Sequence, residues 1–98
     1  MNVIKESSGS QLTLRTQGRL DTTTAPQLET ELKASVEGVT ELVLDLAELA
    51  YISSAGLRVV LMAQKIMNKQ GAMVVRNVDP NVLEVFEVTG FSDILTIE

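Results

Sequence analysis

At 98 residues, with 45% hydrophobic and 21% charged content, the chain can bury one core but not two, and its composition excludes a disordered polymer. A formal net charge of -5, with eight scattered Lys and Arg residues, leaves no footprint for nucleic acid or an anionic membrane and makes a basic protein surface the natural partner. With no Cys and no His, disulfides, thiol chemistry, Ser–His triads and imidazole or thiolate metal sites are unavailable, so no enzyme, metal or cofactor is expected.

Residues 3–5 and 12–16 read as the strands of an opening hairpin around the turn-rich Ser7-Ser8-Gly9-Ser10, with Gly18 ending the second strand. A helix start follows, with Thr24 as cap, Pro26 in the first turn and Gln27 reaching back. Leu28, Leu32 and Val36 give that helix one apolar stripe to about Glu37, and Gly38 stops it. Residues 41–46, ELVLDL, are too continuously apolar for a strand with one wet face and are placed centrally in the sheet. A second helix over residues 54–69 carries Leu57, Val60, Leu61, Ile66 and Met67 on a broad apolar face, with Gln64 the polar exception and Gly71 the cap. Residues 72–75 form another buried strand. Asp79 and Pro80 then open a third helix with Val82, Leu83 and Phe86 inward, Gly90 terminates it, and residues 94–97 supply a last short strand.

The order β-β-α-β-α-β-α-β predicts one α/β domain over residues 1–98, a mixed central β-sheet with helices packed mainly on one face. The opening MNVIKESSGSQ lacks the apolar run of a signal peptide, and the longest apolar run, residues 59–63, is far too short to span a bilayer. A soluble, cytoplasmic chain is expected.

The candidate chemistry concentrates in residues 45–61, DLAELAYISSAGLRVVL, where a buried strand, a small-residue turn with two serines and an apolar-faced helix follow one another. A hydroxyl at a helix N-terminus meets unpaired N–H groups and the positive end of the macrodipole, surroundings that favour a phosphate. Ser54 reads either as an ordinary N-cap or as a phosphoacceptor, and the two roles are compatible. Gly56 reads as a close-packing position, Arg58 as a solvated residue able to pair with a partner acid or with a phosphate on Ser54, and Asp21 as a turn-forming aspartate before the first helix. Glu84 and Glu87, one turn apart on the third helix, read as a solvated face.

Gly18-Arg19-Leu20-Asp21, Asp45-Leu46, Tyr51-Ile52-Ser53-Ser54-Ala55-Gly56-Leu57 and Val88-Thr89-Gly90-Phe91, in this order and spacing, resemble the STAS domain, named for sulphate transporters and anti-sigma factor antagonists. The resemblance covers nearly the whole chain and is to the stand-alone bacterial antagonists in particular. In that family the loop before the second helix usually reads Asp, Ser, Ser or Thr, Gly, Leu, and the first hydroxyl after the Asp is phosphorylated. Aligned on Gly56 and Leu57, that residue is Ser54, with Ser53 the less favoured acceptor. Ser53 here replaces the acid and Ala55 the second hydroxyl, so no neighbouring carboxylate acts on an incoming phosphate.

The resemblance implies partner switching. The unmodified chain would bind an anti-sigma factor that is also a serine kinase, with Asp21, Ser53, Ser54, Ala55, Gly56 and Arg58 as the contact residues. Phosphorylation of Ser54 would release the kinase by repulsion at the interface, and a PPM-type serine phosphatase would reset the cycle. The same resemblance leaves room for a constitutive, unphosphorylated STAS scaffold, such as a small subunit of a lipid-transport ATPase.

Overall fold

Alternating side chains decide which face of the sheet is covered. The computed structural model describes residues 1–98, and its chain opens with β1 (Asn2–Ser8) and β2 (Gln11–Leu20), paired antiparallel across a two-residue loop in which Gly9 takes φ +60°. Helix α1 (Ala25–Ser35) leads to β3 (Glu41–Ile52), α2 (Ser54–Gln70) to β4 (Ala72–Arg76), and α3 (Pro80–Val88) to a 3-10 turn over Phe91–Asp93. The sheet order is β1-β2-β3-β4, with β2–β3 and β3–β4 parallel. β3 is central, as its apolar run requires.

Leu12, Leu14 and Thr16 of β2, Leu42, Leu44 and Leu46 of β3, and Met73 and Val75 of β4 are all buried and share one face of the sheet. Leu28 and Leu32 of α1, Val60 and Met67 of α2, and Val82 and Phe86 of α3 join them in one cluster. The three helices therefore cover a single face. The opposite face is closed by polar pairing instead: Arg15 contacts Glu6 and Asp45, each at 3.4 Å, and Arg76 meets Glu98 at 2.9 Å. Asp45 also accepts hydrogen bonds from the Ala47 amide at 3.0 Å and from Asn77 Nδ2 at 3.2 Å. Those bonds outweigh the desolvation of Asp45 and hold its pKa below the ordinary value.

Several boundaries differ from the sequence expectation. β1 and β2 are longer, and Gly18 does not end β2; it takes φ +103° inside the strand, beside a register shift between Gly18 and Arg19. β3 continues to Ile52 because the second half of β2 pairs with it through Leu20↔Ile52. α1 ends at Ser35, with Val36 as C-cap. The last strand is the largest correction: Gly90, at φ +81°, starts a 3-10 turn that reaches Ile94, and only Ile97 forms an isolated bridge, to Val75.

Candidate functional site

β3 hands the chain directly to α2. The Ser53 amide donates to Leu20 O at 2.9 Å, which anchors the turn to the end of β2. Ser53 is the N-cap, extended at φ -101° and ψ 177°, and its Oγ accepts from the Gly56 amide at 3.4 Å. Of the two readings of Ser54 offered by the sequence, the N-cap is therefore overturned, because Ser53 holds that position. Ser54 is the first helical residue and is exposed, so its hydroxyl has no capping role. The Leu57 amide donates to Ser53 O at 2.9 Å. Ser53 therefore accounts for the third and fourth amides of the turn, leaving those of Ser54 and Ala55 among the unpaired N–H groups of the helix end.

Gly56 fixes how closely this turn approaches the sheet. A β-carbon there would lie 2.7 Å from Leu20 Cγ and 2.8 Å from Ile52 Cγ1, both on fully packed side chains. Glycine is therefore required by contact rather than by its backbone angles.

Asp21 sits just past Leu20, but its carboxylate is largely committed to the loop. Oδ1 accepts from the Thr23 amide at 3.0 Å, the Thr23 hydroxyl at 2.7 Å and the Thr24 amide at 3.2 Å. These bonds, led by the Thr23 hydroxyl, hold its pKa below the ordinary value. The turn-forming role read from the sequence is thus present, and Oδ2 remains on the Arg19 side, 3.8 Å from Nε. Thr24 does not cap α1 with its side chain: its hydroxyl accepts from the Asp21 amide at 2.8 Å and donates to Arg19 O at 2.7 Å. Gln27 likewise reaches Met1 O instead of back to the cap.

Two neighbours complete the surface. Arg58 is exposed on the second turn of α2, and with Ala55 it borders a shallow groove of about 230 Å3 whose other wall is Thr22, Pro26 and Glu29. Ser53, Ser54, Ala55, Gly56 and Arg58 thus lie within two turns, and the loop that follows Asp21 faces Ala55 and Arg58. Arg19 lies over the Tyr51 ring, 4.2 Å from its centroid, joining the ends of β2 and β3 beside the serine turn. The sequence reading missed this contact. An Arg and a Tyr at strand ends carry no signal until the β2–β3 register puts them opposite each other.

Comparison with known proteins agrees with this architecture. The chain matches the STAS domain family over residues 2–98. It is 48% identical over 83 residues to BtrV of Bordetella bronchiseptica, a candidate anti-sigma factor antagonist, covering 83% of this chain and 72% of that protein. It is 33% identical over 98 residues to the anti-sigma-B factor antagonist of Listeria monocytogenes, covering 97% of this chain and 85% of that one. SpoIIAA, a Bacillus cell fate determinant with structures in unphosphorylated and phosphorylated forms, shares the fold. Each superposes on 99% of this chain with a TM-score of 0.78 at 19% identity, and the match covers 87% and 91% of the two SpoIIAA chains respectively. The match along nearly its full length, together with the shared fold, places this chain in the STAS domain family.

Proposed function

We propose that this chain is an anti-sigma factor antagonist that binds an anti-sigma factor with serine kinase activity and is released when Ser54 is phosphorylated. The observation that carries the reading is the division of labour between the two serines. Ser53 caps α2, while Ser54 is exposed beside unpaired helix-end amides. A phosphate on Ser54 adds about -1.5 to -2 charges without removing the cap. The domain keeps its fold while the partner meets a new anion at the interface.

Ala55, Arg58 and the loop after Asp21 flank Ser54 and form the partner-facing surface, with Gly56 setting its shape from beneath. The role is regulatory, and the pathway that fits it is cytoplasmic, with a PPM-type phosphatase restoring the free hydroxyl. Incubation with the cognate kinase and ATP, followed by mass-spectrometric site mapping, tests the assignment. Phosphate on Ser54, absent from Ser54→Ala, is the expected result. An active kinase that leaves Ser54 unmodified refutes it.

A further inference from the structure

Charge is unevenly distributed over this chain. It has eight basic and thirteen acidic residues, and five of the eight, Lys5, Arg15, Arg19, Lys33 and Arg76, form ion pairs with its own carboxylates. The other three, Arg58, Lys65 and Lys69, are exposed, and all lie on α2, a helix with no Asp or Glu. Their spacings of seven and four residues confine them to a stripe about 40° wide, running about 16 Å along the helix. Leu61 lies on one flank and Met62 and Ile66 on the other; all three are half-buried. With the cations they line an open groove of about 420 Å3. Ser54 stands one turn ahead of Arg58, at the head of the same stripe.

An ordinary solvated helix face intersperses both signs. Here acids outnumber bases across the chain, yet the only bases without an internal carboxylate partner are gathered on one partly apolar face. A basic partner, which the net charge alone suggests, would be repelled there.

We propose that this face of α2 is a docking surface for an acidic, amphipathic segment of a partner protein. Its carboxylates meet Arg58, Lys65 and Lys69, and its apolar side chains enter between Leu61, Met62 and Ile66. The identification of that partner as the kinase rests on the proposed function; the surface chemistry does not. A phosphate on Ser54 comes within reach of Arg58, so the modification both engages one cation and sets an anion at the head of the stripe.

The test compares Lys65→Glu/Lys69→Glu with Lys5→Glu/Lys33→Glu, which has the same net charge but reverses lysines elsewhere, after thermal melts show both folded. Calorimetry with the kinase should give at least about tenfold weaker binding for the first and within about twofold of wild type for the second. Equal affinities for the two variants overturn the docking surface while leaving the proposed function standing. If wild type itself fails to bind the kinase, the proposed function falls, and a second probe decides the inference. A synthetic amphipathic helix of about 20 residues, rich in Glu and Leu, should then shift the amide resonances of Arg58, Leu61, Met62, Lys65 and Lys69 in wild type and not in Lys65→Glu/Lys69→Glu. Shifts elsewhere, or none, overturn it.

Discussion

Replacing Gly56 with Ala tests whether the serine turn is held by close contact. The new methyl would sit 2.7 Å from Leu20 Cγ and 2.8 Å from Ile52 Cγ1, where carbon atoms prefer about 3.5–4.0 Å. Leu20 is 1% and Ile52 3% exposed, so neither can swing aside, and the first turn of α2 must lift away from the sheet. Overpacking costs about 1–3 kcal/mol; contacts this short against two buried side chains belong to its upper part, about 2–3 kcal/mol, and the better helix propensity of Ala offsets at most about 1 kcal/mol. The net loss should be about 1–2 kcal/mol, lowering Tm by about 4–16 °C for a domain of this size. Urea denaturation should show a lower midpoint with an unchanged slope. A midpoint equal to or above that of wild type would show slack beneath α2 and refute the argument that contact fixes the turn.

The two serines should differ in stability. Ser53→Ala should lose about 0.5–1 kcal/mol, the lower part of the capping range because its bond is 3.4 Å long, whereas Ser54→Ala should change by less than about 0.5 kcal/mol in the same urea assay. The reverse order would assign the cap to Ser54. Thr24→Val removes the hydroxyl between the Asp21 amide and Arg19 O and should cost about 0.5–1.5 kcal/mol, read by thermal melting; no loss would mean that this loop is not held by it. Asp21 and Asp45 both have folded-state pKa values below their ordinary ones. The stability they confer is present above the unfolded-state value, near 4, and is lost as pH falls through the lower folded values. Urea midpoints should be flat between about pH 5 and 7 with respect to these groups and fall below about pH 4; carboxyl resonances of the two residues titrating at ordinary values would contradict it.

The elements most legible in the sequence are those whose side chains are buried on one side. β3 at its apolar start, the stripe of α2, and the Asp79–Pro80 opening of α3 each show their pattern directly, and Asp79 does accept from the Asn81 amide. The edge strand β1 is harder to delimit because nearly all its residues are exposed, so only pairing with β2 reveals its length. β3 beyond Leu46 falls outside the strand read from the sequence because the shift between Arg15 and Gln17 breaks its alternation, and long-range pairing holds it extended. Residues 94–97 contain the right residue types for a strand, but the 3-10 turn takes up the first of them. At the site, the sequence located the turn, Gly56 and Arg58. It did not distinguish the capping serine from the exposed one, since adjacent identical residues differ only once the end of β3 sets the helix start. Nor did it show that Arg58, Lys65 and Lys69 lack internal partners, a property that depends on where every acid lies.

The most direct measurement is the affinity of one wild-type preparation for the proposed partner kinase before and after stoichiometric phosphorylation. A phosphate on the exposed Ser54 that opposes the partner should weaken binding by about 2 kcal/mol or more, at least about thirtyfold, while circular dichroism stays unchanged. Equal affinities for the two forms, with the phosphate verified on Ser54, would contradict the account of this domain as a switch.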